Sequence, residues 1–290
     1  MLNKSLRLDS KVLAFSDQSN PPVRGFLHRP SASPNKVTGG DALVLTHGAG
    51  SDCQAPLLIA VANHFAAAGF TVFRCDLPYR QKRPHGPPFP GASAEDRDGL
   101  RNAVAALRGL VPDHPFKRVF LGGHSYGGRQ ATILAAAEMA LADALLLLSY
   151  PLHPPRKPDQ VRTAHFPKLR TPALFVQGTR DPFGSREEME SALKLIPATT
   201  ALFAVDGAGH DLSFGKRQRN ATPDLPSRIL DAFVRFLETS QGERGQDRAD
   251  GLPLGMHVVT NSYRCRARCA LQGISKSFQV FPARRASTVN

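Results

Sequence analysis

Six short apolar runs recur along this chain: Ala42–Thr46, Thr71–Cys75, Arg118–Leu121, Ala144–Ser149, Ala173–Val176 and Ala201–Val205. Short apolar runs bounded by turn-forming residues read as strands buried on both faces. Most are separated by segments suited to helices, over Pro56–Ala68, Ala94–Leu110, Gln130–Leu141 and Arg186–Leu195, and a last helix is expected over Asp224–Leu237. Strands alternating with helices imply βαβ units, a parallel sheet and helices on both of its faces. Two alternating runs, Val12–Phe15 and Val23–His28, flank a polar turn and read as a hairpin ahead of the parallel part. The proline-rich segments Leu77–Gly91 and Pro151–Thr171 read as loops.

The third apolar run leads into Gly122-Gly123-His124-Ser125-Tyr126-Gly127-Gly128, which contains G-x-S-x-G. A serine on a sharp strand-to-helix turn needs glycine two residues before and two after, because side chains there would strike neighbouring backbone. The helix that follows directs its positive end at the serine. A hydroxyl is a weak nucleophile and requires a base, itself oriented by a carboxylate. Asp181 follows the run Ala173–Val176, and His210 follows Ala201–Val205. Both therefore fall at the carboxyl edge of the sheet, where Ser125 also lies and where open parallel sheets bind ligands. Asp206 and Asp211 are competing acids beside His210; the order Ser, acid, His and the loop after the penultimate strand favour Asp181. Tetrahedral chemistry also needs two N–H donors. Tyr126 N–H is one candidate, and Ala49 in Thr46-His47-Gly48-Ala49-Gly50 is the other, with Gly50 as its alternative. His47 and His124 are expected to brace these loops; His153 and His165 are expected near the mouth of the site, as surface residues rather than substrate contacts. Cys53 lacks a Cys–His context and is not expected to act as a nucleophile.

The segments LTHGAG (45–50), FRCDLPYRQKR (73–83), FLGGHSYGGR (120–129), LSYPLHPP (148–155), LFVQGTRDPFG (174–184) and GAGHDL (207–212) resemble the dienelactone-hydrolase-like branch of the α/β-hydrolase superfamily. They are more closely similar to the small hydrolases grouped with testis-expressed proteins and with a subunit of the nonspecific-lethal acetyltransferase complex. The resemblance implies an α/β-hydrolase fold with a mostly parallel central sheet of about eight strands, no large lid, and neither metal nor organic cofactor. It implies a serine hydrolase acting on a small-molecule acyl substrate, a carboxylic ester or thioester. Dienelactone hydrolase itself uses cysteine, so its substrate does not carry over to Ser125. Gly50, Arg74, Tyr79 and Arg83 match family positions; the last three either line the site or tie down the proline-rich loop. The relative in a chromatin complex keeps a second reading open, a non-catalytic scaffold on the same fold.

Residues 1–239 read as one hydrolase domain. The segment 240–290 lies outside the resemblance, has no clear period, and reads as a basic tail, disordered or loosely docked. The whole chain carries a formal charge of +13. Basic clusters at Arg80–Arg83, Arg156–Arg170 and Lys216–Arg219 are read as solvated surface, and without a recognition motif no nucleic-acid partner is expected. Cys265 and Cys269 have no second pair or histidine cluster, so a zinc site is not expected there. With four scattered cysteines, no signal-like N-terminus and no apolar run near the ~20 residues a membrane span needs, a cytoplasmic location is expected.

Overall fold

A computed structural model describes residues 12–30, 40–110, 116–214, 224–249 and 278–281. The strands are β1 (Val12–Ser16), β2 (Arg24–His28), β3 (Asp41–Thr46), β4 (Thr71–Cys75), β5 (Arg118–His124), β6 (Leu145–Leu148), β7 (Ala173–Gly178), β8 (Thr200–Val205) and β9 (Phe278–Phe281). The helices are α1 (Pro56–Ala67), α2 (Pro78–Lys82), α3 (Ser93–Gly109), α4 (Tyr126–Ala137), α5 (Arg186–Leu193) and α6 (Leu225–Ala249). One sheet joins the strands in the order β1-β2-β4-β3-β5-β6-β7-β8-β9. Strands β3 to β8 run parallel, while β1, β2 and β9 pair antiparallel at the two edges.

The period-two pleat explains the run Leu145-Leu146-Leu147-Leu148. Leu145 and Leu147 pack on one face with Leu100 and Val104 of α3 and Leu134 of α4. Leu146 and Leu148 pack on the other with Phe65 of α1 and Phe233 of α6. A central strand with helices on both sides thus needs apolar residues at every position. The chain passes outward in opposite directions from β3, to β4 on one side and β5 on the other, so a crevice opens at the carboxyl ends of β3 and β5.

Several boundaries differ from the sequence reading. Strand β5 runs on through Gly122 and Gly123 to His124, because a Cβ at Gly122 would lie 2.2 Å from Leu146 O of the neighbouring strand. Helix α4 starts at Tyr126 rather than Gln130, so both glycines of its first turn are helical. Packing overrides the poor helix propensity of glycine: a Cβ at Gly127 would meet His47 O at 2.5 Å and one at Gly128 would meet Gly123 O at 2.7 Å. The proline-rich loops contain α2 and a 3₁₀ turn at Phe166–Lys168, each opened by proline near its first position. Helix α6 continues past Leu237 to Ala249, and β9 adds a strand from the tail. The remainder of the tail, with Cys265 and Cys269, and the cluster Lys216–Arg219 lie outside the described residues. The connection from β6 to β7 contains no α-helix, so among the described residues no helical lid covers the crevice. Among the described residues no helix is long and apolar enough to cross a membrane.

Candidate active site

Ser125 sits between β5 and α4 with φ 50° and ψ −114°, a backbone conformation an L-residue adopts at a cost of about 1–3 kcal/mol. The surroundings enforce it. Ser125 N–H donates to Leu148 O at 2.8 Å, and Gly127 N–H donates to His47 O at 3.1 Å. Side chains at Gly123 or Gly127 would collide with backbone of β3 and of the turn itself, with Thr46 O 2.9 Å from a Cβ at Gly123. The turn therefore raises the serine hydroxyl into the crevice.

His210 Nε2 lies 2.8 Å from Ser125 Oγ, and His210 Nδ1 lies 2.8 and 3.0 Å from the two Asp181 oxygens. Asp181 also accepts from Gln177 Nε2 and from Phe183 N–H, both at 2.9 Å, so each carboxylate oxygen has a second donor. Two loops carry this pair and they are bonded together. Arg180 N–H donates to Ala208 O, Gly207 N–H donates to Thr179 Oγ1, and a Cβ at Gly178 would lie 2.4 Å from Ala208 O. The Phe183 ring stacks on His210 with centroids 4.1 Å apart, and His124 Nε2 donates to His210 O at 2.9 Å. Among the described residues Asp181 is the acid that reaches His210. Asp206 instead accepts from Thr179 Oγ1, and Asp211 turns back to Ser213, whose hydrogen bonds lower its pKa.

Gly48, Ala49 and Gly50 line the same cleft as Ser125, Tyr126 and His210; its volume is about 520 Å³. Tyr126 is the first residue of α4, so its N–H precedes the intrahelical ladder. The carbonyls of the 48–50 loop are held from behind. Tyr79 Oη donates to Gly48 O at 3.1 Å and to Ala49 O at 2.9 Å, and Arg80 donates to Ala49 O and Ser51 O. In a trans peptide the N–H points opposite to the preceding C=O. The Ala49 and Gly50 N–H groups consequently face away from Tyr79.

Tyr79 and Arg74 are buried, and neither they nor Arg83 line the cleft. Their interactions run to other parts of the chain. Arg74 donates to His28 Nε2 and to Cys53 O. Arg83 lies over the Phe89 ring and donates to Pro87 O within the proline-rich loop. Burial pushes the Tyr79 hydroxyl up to about 12, which keeps it a donor. His47 is buried, and burial lowers its pKa; as the neutral ring it donates from Nδ1 to Gly48 O and accepts Leu77 N–H at Nε2. Burial raises the Cys53 thiol. His153 meets Pro154 O and Glu188, and His165 meets Thr132, so neither faces Ser125. The residues missed by sequence reasoning are Arg80, Phe183, Arg129 and Arg162, the last three lining the cleft.

A family profile described as "Alpha/beta hydrolase domain" matches residues 39–238. Among solved structures, dienelactone hydrolase from Anabaena variabilis is 21% identical with a TM-score of 0.60, over 79% of this chain and 98% of that one. Est1E from Butyrivibrio proteoclasticus is 16% identical with a TM-score of 0.57, over 78% and 99%. XC6422 from Xanthomonas campestris, described as a serine hydrolase without a lid, is 17% identical with a TM-score of 0.57, over 78% and 95%.

Proposed function

The chain belongs to the α/β-hydrolase family, and on that premise we propose that it is a serine hydrolase cleaving a carboxylic ester or thioester through an acyl-enzyme. The observation that carries the reading is the continuous chain Ser125 Oγ, His210 Nε2, His210 Nδ1, Asp181, with both links at 2.8 Å. In this reading Asp181 accepts from His210 Nδ1–H and leaves Nε2 unprotonated toward Ser125. His210 takes the serine proton as Oγ attacks the acyl carbon. The oxyanion then sits at the N–H groups of Tyr126 and Ala49, beside the positive end of α4. The proton passes from His210 to the leaving oxygen or sulfur. A water molecule, deprotonated by His210, attacks the acyl-enzyme, and Ser125 recovers its proton as the acid departs. No step calls for a metal or an organic cofactor. The open cleft and the lid-free neighbour support small substrates that enter directly from solvent. A fluorophosphonate probe tests the assignment: it should label the native protein and fail to label Ser125→Ala. Absence of labelling on folded protein would refute the assignment and favour the scaffold reading.

A further inference from the structure

We propose that the cleft binds its substrate through a carboxylate held by Arg129 and Arg162, so that the preferred ester carries a free acid group a few bonds from the scissile carbonyl. This rests on the hydrolase reading of the same cleft and names its substrate class.

Both guanidinium-bearing residues line the cavity that contains Ser125 and His210. Arg129 lies one helical turn after Ser125, and its N–H donates to Ser125 O at 3.0 Å, which fixes its position relative to the turn that carries the serine. Arg162 belongs to the β6–β7 connection, where its N–H donates to Leu152 O and its Nη1 donates to Pro151 O at 3.4 Å. A cavity of about 520 Å³ is about 10 Å across if taken as a sphere, so a group gripped by these side chains lies close to the serine.

Among the described residues, neither arginine has a carboxylate partner. Arg24, Arg101, Arg118 and Arg186 all do. Arg80, behind the oxyanion loop, donates to the carbonyls of Ser51, Arg83, Ala49 and Gly86. Arg129 by contrast has a buried Nε with no hydrogen-bond partner. A solvated surface arginine would keep that atom in water.

The groups that feel the charge of Arg129 include His165 and Tyr150, both neutral. Burial and the charge of Arg129 lower the pKa of Arg162. Burial and the same charge hold His165 near 4, so that ring stays neutral. The Tyr150 hydroxyl stays protonated through burial and donates to Arg162 O. Two cations in a half-buried cleft, at the positive end of a helix, raise the energy of the empty site. A carboxylate relieves that repulsion and accepts planar, paired N–H donors, as guanidinium groups favour.

The test compares matched esters with the full chain. Monoethyl succinate against ethyl butyrate places the charge on the acyl side; 4-acetoxybenzoate against its methyl ester places it on the alcohol side. At least one acidic ester should exceed its neutral partner about tenfold or more in kcat/KM. That ratio should fall about ten- to hundredfold in Arg129→Met and in Arg162→Met, and recover in part in the lysine variants. Separately, glutarate should bind the Ser125→Ala protein by titration calorimetry at low salt, and each methionine variant should abolish it. Neutral esters preferred in both pairs, with no glutarate binding, would overturn the proposal. Tighter binding of inorganic phosphate than of glutarate would overturn the choice of carboxylate. If Ser125 takes no fluorophosphonate and no ester turns over, the hydrolase reading fails, while arginine-dependent glutarate binding would still support the anion site.

Discussion

Asp181→Asn separates the orientation of His210 from the stability of the fold. Each Asp181 oxygen faces two donors: Oδ1 takes Phe183 N–H and His210 Nδ1, and Oδ2 takes Gln177 Nε2 and His210 Nδ1. An amide has only one acceptor oxygen. Phe183 N–H is fixed backbone, so the oxygen stays there and the new NH₂ turns to Gln177 and His210. Gln177 can accept from the amide only by turning its buried Oε1 toward it, which takes its Nε2 away from Gly184 O and Tyr150 O. His210 then receives a proton donor at Nδ1, which drives its own proton to Nε2 and removes the base from Ser125. The expected loss in kcat is on the order of 10³–10⁴, as for other triads, or about 4–5.5 kcal/mol of barrier. Because the swap is nearly isosteric and the cost is confined to these Gln177 hydrogen bonds, the variant should stay folded in the assay, with stability lowered by about 1–3 kcal/mol and read as a lower urea midpoint. The assay is hydrolysis of a short nitrophenyl ester alongside Asp206→Asn and Asp211→Asn, which should each cost far less. Turnover kept within tenfold in Asp181→Asn but abolished in Asp206→Asn would refute the reasoning.

Tyr79→Phe removes the hydroxyl that holds the Gly48 and Ala49 carbonyls; kcat should fall about tenfold with KM little changed, as expected when a donor to the transition state is mis-aimed. A KM effect alone would count against that role. Gly127→Ala places a methyl 2.5 Å from His47 O and should destabilise the fold by about 1–3 kcal/mol, read as a lower urea midpoint. Neutral nitrophenyl esters of two to four carbons (about this range, from the cleft volume) should be cleaved with higher kcat/KM than those of twelve or more; the reverse order would contradict an open, lid-free cleft. Stability should also fall on acidification. His28 is fully buried, and burial followed by the Arg74 charge depresses its pKa to about 4, while its neutral Nε2 accepts from Arg74 Nε at 2.8 Å. Its folded pKa lies below the unfolded value of about 6.5, so the folded state binds fewer protons between the two. The contribution is complete above that pH and is lost as pH falls toward 4, about 2 kcal/mol by pH 5. Urea titrations of wild type and His28→Gln at pH 7.5 and 5 check this, the variant showing the shallower dependence.

The parallel strands were legible because each is apolar at nearly every position, a pattern that only burial on both faces demands. The registers β3 with β5 and β5 with β6 then follow from glycines that permit backbone contact. The short elements inside the two proline-rich segments were not legible. Helix α2 and the 3₁₀ turn are short, and composition marks both segments as loop until tertiary bonds are known, such as Tyr79 N–H to Asp96. Strand β9 was also missed, since Phe278–Phe281 lies in a segment without periodicity and joins the sheet through β8 at its edge.

Within the site, Ser125, Asp181 and His210 could be placed from sequence because each ends a strand on the same edge, and the fold converts that shared position into proximity. Residues that act through backbone carbonyls leave no such trace. Tyr79 and Arg80 sit about 30 positions from the loop they brace, and side-chain chemistry alone does not distinguish bracing from substrate contact. Arg129 was hidden for a different reason. Starting the helix at Gln130 leaves Arg129 in a turn with no defined direction. Starting it at Tyr126 makes Ser125 and Arg129 neighbours one turn apart. Gly127 and Gly128 read as part of a turn, yet both lie in the first turn of α4, where Cβ atoms would meet His47 O at 2.5 Å and Gly123 O at 2.7 Å. The same steric constraint that sets Ser125 at the turn therefore also sets Arg129 one helical turn away in the same cleft.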